Sequence, residues 1–254
     1  MRQCSKCGRP TEKLKKLMCN TCYEYARRHQ LIETRQLCSV NTFTPIQAEH
    51  LAGSMLGDGS IEMGKLAHHA RLYIGRQAKD KEYLEWQASI FSNICNDDPV
   101  GHSSFFDKRT QKTYLRTFFR TRNCPVITEY WKKWYPKGKK IVPRDLTLTP
   151  LILLIWFLDD GHCHFDCSKN CSTMRLDLNT MGFSEEENIF LATLLSEHIE
   201  GEVRVLKARN QCYLRLTNSS CRKFISIIDP IYPECMVRKA KWKDPKCDFY
   251  TRTI

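Results

Sequence analysis

Leu51-Ala52-Gly53-Ser54-Met55-Leu56-Gly57-Asp58-Gly59 is an apolar stretch that carries glycines four apart and stops on Asp-Gly. Thr44-Pro45 opens it. Threonine at a helix N-cap, proline in the first turn and glycine just past the end predict one helix bounded on both sides. A second stretch has the same punctuation: Thr149-Pro150 opens Leu153-Leu154-Ile155-Trp156-Phe157-Leu158-Asp159-Asp160-Gly161. Working outward, Tyr114-Leu115-Arg116 is matched by Tyr213-Leu214-Arg215, and Tyr135-Pro136 by Tyr232-Pro233. The offsets are 102 (Asp58 to Asp160), 99 and 97 residues. Landmarks in one order at nearly constant offset predict two copies of one unit.

Each copy reads helix, strands, helix, strands, helix, an α+β arrangement. Residues 71–76 and 113–122 have the alternation of strands, as do 174–178, 202–207 and 212–217 in the second copy. Residues 80–94 have helical spacing with Asp80 as a candidate cap. Residues 184–197 read as a helix that Ser184 and Glu187 close with a capping box. The predicted organisation is a cysteine module at 1–36, a linker at 37–44, a first half at 45–146 and a second half at 147–254.

The 254 residues are 42% apolar and 27% charged, the balance of a soluble globular protein, with a net charge of +12. Nine basic and three acidic side chains fall in residues 1–44, seventeen and eleven in 45–146, and fourteen of each in 147–254. The positive field therefore sits on the N-terminal segment and the first half, and a polyanion is the expected partner. The start lacks an apolar signal segment, which argues against secretion. The longest apolar run, 151–158, is far short of the roughly 20 residues a bilayer needs, so no membrane partner is expected. Fourteen cysteines in an intracellular, reducing compartment point to metal rather than disulfides. Bacterial cytoplasm and organelle are equally compatible with this.

Cys4-x2-Cys7, eleven residues, then Cys19-x2-Cys22 is the spacing of a closed four-thiolate site for structural zinc. A module of this size needs the metal to fold. Residues 23–36 read as its helix. Lys13, Lys15, Lys16, Arg27 and Arg28 give it a basic surface suited to phosphate contact. A looser group, His162, Cys163, His164, Cys167 and Cys171, matches no common finger; ordinary thiols are expected there, with a second zinc as the alternative.

The stretch at 51–59 resembles the LAGLIDADG motif, and 153–161 its divergent second copy. Over about residues 44–245 the chain is similar to monomeric, two-motif LAGLIDADG homing endonucleases, most like the mitochondrial-intron type, whose second motif also ends in Asp-Asp-Gly. The resemblance implies two pseudo-symmetric αββαββα halves that form a DNA-binding saddle. It implies a monomer that hydrolyses both strands of a long double-stranded DNA target with Mg2+ or another divalent cation. An RNA-splicing maturase acting on intron RNA and a non-cleaving DNA-binding regulator are alternatives on the same fold.

Within that frame Gly53 and Gly57 share one helix face, where another helix can approach closely. If the two motif helices pack side by side, Asp58 and Asp160 emerge together at ends rich in free carbonyls. Those carboxylates with the carbonyls of Gly57 and Asp159 are the expected ligands for a hard cation. Ile155 stands where the first copy has Gly53, and Asp159 beside Asp160 leaves the choice of carboxylate open, with register favouring Asp160. The resemblance places a basic residue near each centre: Lys140 or its neighbour Lys139, and Lys239 or its neighbour Arg238.

Basic strands that can enter the major groove complete the expectation. Arg71, Tyr73 and Gly75 share one strand face, and Leu72, Ile74 and Arg76 the other. Arg116, Phe118, Arg120 and Arg122 share a face. Arg71, Arg76, Arg116, Arg120 and Arg122 are the DNA-contact candidates of the first half, with Lys207, Arg209 and Arg215 in the second.

Overall fold

The computed structural model of the chain describes residues 1–29, 38–64, 67–168 and 171–243. The side chains of 27, 166–168 and 171–172 lie outside the described set. The chain forms two compact units, Met1–Cys38 and Ser39–Ile254.

In the first unit β1 (Arg2–Gln3) pairs antiparallel with β2 (Pro10–Thr11). Gly8 turns the chain between them in the left-handed region, at φ +66. A second tight turn joins Lys15 to Met18, and both of its central residues, Lys16 and Leu17, are left-handed (φ 46 and 64). That conformation is costly for residues with a Cβ. α1 (Asn20–Arg28) begins directly after Cys19, earlier than the predicted 23–36, and residues 30–36 of that prediction lie outside the described residues. Cys4, Met18, Cys19 and Ala26 make the small core, with Leu14, Cys22 and Tyr23 against it. Three of those four core residues carry sulfur, and two are cysteines of the knuckles.

The second unit repeats one topology. α2 (Pro45–Leu56), β3 (Gly59–Glu62), β4 (Arg71–Gln77), α3 (Lys81–Ile90), β5 (Val100–Asp107), β6 (Lys112–Arg120) and α4 (Pro125–Trp134) make the first copy. α5 (Pro150–Asp160), β7 (Gly161–Ser168), β8 (Cys171–Leu178), α6 (Glu185–Ile199), β9 (Val203–Ala208), β10 (Gln211–Thr217) and α7 (Asn218–Ile228) make the second. The sheets run β3-β4-β6-β5 and β7-β8-β10-β9, antiparallel throughout. The fold is α+β with two αββαββα halves. In both sheets alternate residues (Leu72 and Ile74, Thr117 and Phe119, Leu214 and Leu216) are buried, and the intervening positions form the open face.

The predicted caps form. Thr44 and Gln47 make a reciprocal capping box on α2, Thr149 accepts from Ile152 on α5, and Ser184 with Glu187 boxes α6. Asp80 is different: its side chain makes no capping bond on α3, because Arg76 and Arg238 take the carboxylate. The glycines past the motif helices also act differently from expectation. Gly57 (φ −110) and Gly161 (φ −82) are not left-handed stops.

Their reason is space. α2 and α5 pack as parallel neighbours, with Thr149 at the start of α5 donating to Glu49 of α2 at 2.7 Å. A Cβ on Gly53 would stand 2.7 Å from Ile155 Cβ, and one on Gly57 only 2.4 Å from Asp159 Cβ. Each glycine of the first motif receives a side chain of the second, so Ile155 in place of a third glycine is the knob for that hole. Leu153 to Leu158 are entirely enclosed. Phe157 packs against Phe224, Tyr232 and Trp242, which ties α5 to the last helix and the 3-10 turns after it.

Candidate active site

Parallel packing brings both motif C-termini to one place. Asp58 stands at the junction of α2 with β3, and Asp160 is the last residue of α5. The helix ends carry free carbonyls, and two lysines meet them. Lys140 Nζ donates to Gly57 O at 3.2 Å and Gly59 O at 2.9 Å. Lys239 Nζ donates to Phe157 O, Leu158 O and Asp159 O at 3.2, 2.8 and 3.4 Å. These are the basic residues expected on the motif ends. Of their rivals, Lys139 is exposed, and Arg238 is held by Asp80.

Two clefts flank the seam. One, of 440 Å3, is lined by Asp58, Gly75, Arg76, Arg116, Arg238 and Lys239. The other, of 130 Å3, is lined by Gly57, Lys140, Asp160, Asn179, Thr180 and Phe183. Each lysine thus caps the helix of its own half and faces the carboxylate of the other. The donors at the helix ends, two carboxylates and backbone carbonyls, are all oxygen, the set a hard divalent cation takes.

A buried network lies behind Asp58. Arg76 Nη1 is 2.8 Å from Asp58 Oδ2 and 2.8 Å from Asp159 Oδ1, Nε is 3.3 Å from Asp80 Oδ2, and Nη2 donates to Leu158 O at 3.0 Å. Tyr83 donates to Asp159 Oδ1 at 3.1 Å. Asp159 is therefore an interior residue of the seam: its side chain is 0% exposed, and Oδ2 has no partner among the described residues. Sequence reasoning missed Asp80 and Tyr83 in this network and placed Arg76 on the DNA face. The correction has a plain cause. Arg76 is in phase with Leu72 and Ile74, and an arginine on the apolar side of a strand must bring its own carboxylates inside. That phase was visible in the sequence.

Burial lifts the Asp159 carboxyl to about 7, against the pull of Arg76, and the Asp160 carboxyl to about 6, with the charge of Asp58 adding to the rise. Burial also raises Asp58, against Arg76, Lys239 and Lys140. Lys140 and Lys239 are lowered by burial to about 8. Carboxyls raised above their unfolded value bind protons in the folded chain before the unfolded chain does, so acidification stabilises the fold until the unfolded carboxyls protonate as well. In metal-free buffer the melting temperature is expected to rise as pH falls through about 7 and about 6. A flat profile in calorimetry would mean that these carboxyls are well solvated.

The remaining basic candidates divide by face. Arg71 pairs with Glu62 at 2.7 Å across the open face. Arg116 lies 4.6 Å over the Phe105 ring, and Arg120 lies over Tyr73 and Phe118 at 5.0 and 4.4 Å. Arg122 is past the end of β6 and donates to Asn93 O at 2.8 Å. In the second sheet Arg215 is on the open face, paired with Asp177 at 2.7 Å, and Arg209 is at the left-handed turn between β9 and β10. Lys207 is corrected: it pairs in register with buried Cys212, and its Nζ meets Glu185 at the start of α6, on the helix side. A one-residue difference in strand phase moves a side chain to the other face.

In the first unit the ligand atoms of Cys4, Cys7, Cys19 and Cys22 all lie within 4.8 Å of one another. The four-cysteine cluster can hold a metal ion, and its soft donors suit zinc. In the looser group Cys163 is buried while His162 and His164 are exposed, so strand alternation separates them; the side chains of Cys167 and Cys171 lie outside the described residues.

The sequence pattern of the LAGLIDADG DNA endonuclease family matches residues 48–224. The chain belongs to that family, with both copies of the motif in one polypeptide. The DNA endonuclease I-ChuI of Chlamydomonas applanata is 24% identical over 77% of this chain and 94% of that protein. The cytochrome b mRNA maturase bI2 of Debaryomyces hansenii is 25% identical over 75% of this chain and 73% of that one. The solved structure of the homing endonuclease I-WcaI bound to its DNA recognition sequence matches with a TM-score of 0.71, at 22% identity, over 87% of this chain and 92% of that chain, which establishes the fold. Among the described residues no helix is long and apolar enough to cross a membrane.

Proposed function

We propose that the chain is a site-specific endonuclease that hydrolyses both strands of a long double-stranded DNA target, acting as a single chain. The observation that supports this best is the convergence of Asp58 and Asp160 at the ends of two paired helices, each facing a lysine of the other half. Asp58 and Asp160, with the carbonyls of Gly57 and Asp159, would hold divalent cations, magnesium or another, which when bound would supply an activated water and offset charge on the leaving 3′-oxygen. Lys140 and Lys239, hydrogen-bonded to the carbonyls of Gly57 and Asp159, hold positive charge beside the scissile phosphates. Arg71, Arg116, Arg120 and Arg122 on one side, and Arg209 and Arg215 on the other, hold and read the DNA. The ion pairs of Arg71 with Glu62 and of Arg215 with Asp177 exchange for phosphate or base contacts at small cost, since pairs near the surface contribute about 0–1 kcal/mol.

The test is incubation of a random plasmid library with the full chain and Mg2+, followed by sequencing of the cut ends. Recovery of one long, nonpalindromic site supports the reading; binding without cutting defeats it. The likeness to an mRNA maturase favours a second reading, assistance to splicing of a host intron. That reading requires tight binding of a structured intron RNA by the same chain.

Cys4, Cys7, Cys19 and Cys22 hold one structural zinc in this reading, and their module adds a second basic surface. Zinc per chain is expected at about one, with the looser cysteine group contributing none. Chelation should unfold the module and weaken DNA binding while leaving the remaining unit folded. Undiminished DNA affinity after complete removal of zinc would exclude a role for the module in contact.

A further inference from the structure

We propose that Arg76 makes the two centres unequal: it guards Asp58, so the centre built on Asp160 takes its divalent cation first and cuts its strand first. The statement about strand order rests on the endonuclease reading; the statement about cation affinity stands without it.

The guanidinium is pinned. Its side chain is 6% exposed, and besides Asp58 it is bonded to Asp159, Asp80 and the carbonyl of Leu158, with the Tyr83 ring 4.9 Å from its central carbon. Three of those four acceptors remain if Asp58 is taken away, so the charge stays where it is. A cation binding Asp58 must share that carboxylate with a fixed positive group.

The second half has no such guard. Gly59 pairs in register with Ile74, and Gly161 with Leu178; two residues beyond those partners stand Arg76 and Thr180. Thr180 is buried, uncharged and hydrogen-bonded to Asn188. Asp160 has no hydrogen bond or ion pair with another side chain among the described residues; its cleft holds Lys140, the counterpart of Lys239 beside Asp58, and where the first half adds Arg76 it adds only Asn179 and Thr180, both neutral. The asymmetry lies in the chain itself, before any DNA is bound.

Mn2+ titration of the full-length chain, followed by electron paramagnetic resonance without DNA, tests the affinity claim. Two classes of site are expected, differing on the order of tenfold or more, as one fixed charge a few ångströms from a dication would cause. Asp160→Asn should remove the tight class and Asp58→Asn the weak one. The double variant Arg76→Met/Asp159→Asn removes the guard together with a carboxylate it neutralises, leaves Asp80 with Arg238, and should bring the two affinities together. Equal sites in the wild type, loss of the tight class in Asp58→Asn, or no Asp160-dependent binding would overturn the proposal. Strand-resolved cleavage of the selected site should then show a nicked intermediate cut on the Asp160 side, and simultaneous cutting would overturn the order. A chain that cuts no DNA would refute the endonuclease reading while the Mn2+ result still decides the role of Arg76.

Discussion

Asp160→Asn is expected to abolish double-strand cutting and to leave DNA binding and folding intact. The substitution keeps shape and removes one charge. Loss of a carboxylate that holds the catalytic cation forfeits several kcal/mol of transition-state stabilisation, about 10³-fold in rate. Folding should not suffer, because burial disfavours the charged form of Asp160 in the first place. Asp58→Asn should give the same loss, with Arg76 still held by Asp159 and Asp80. Linearisation of a supercoiled plasmid carrying the target, beside a gel-shift on the same DNA, checks both. Wild-type linearisation by either variant would remove hydrolysis from these residues.

Gly57→Ala is expected to damage stability and chemistry together. Its methyl group would sit 2.4 Å from Asp159 Cβ and 3.0 Å from Asp159 Oδ2, with the partner helix enclosed on all sides. No flexible side-chain end is available to yield, so the helices must separate. Overpacking of this kind costs about 1–3 kcal/mol. Separation also moves Asp58 relative to Asp160, and a misplacement of about 1 Å can cost about 10²-fold in rate. Urea denaturation and the plasmid assay measure the two effects. A variant of unchanged stability would show that the seam is looser than described.

The repeat, the motif helices and their caps were legible in the sequence because each rests on short-range chemistry: Thr44 and Thr149 as caps, Pro45 and Pro150 in the first turns, Ser184 with Glu187. The glycines were legible both as helix ends and as residues of close approach, and only a left-handed conformation at those ends is missing. β3, β5 and β7 were not located. β5 carries exposed residues on both faces from His102 to Phe106, so period-two alternation is absent. α4 and α7 were expected only as a closing helix in each copy. The site divided the same way. Asp58, Asp160, Lys140 and Lys239 sit beside recognisable landmarks, whereas Asp80 and Tyr83 acquire their place only when α3 is laid against the seam.

The knob-and-hole seam also governs how the gene can be rearranged. Gly53 answers to Ile155 and Gly57 to Asp159, so each half carries one side of a lock. A hybrid that joins residues 45–146 to the corresponding second half of a relative inherits that lock only if the donor brings an aliphatic residue and a small acid at those two places. Recombination of halves, a direct route to new target specificity, is therefore restricted to donors that match at 155 and 159, whatever their DNA-facing strands contain.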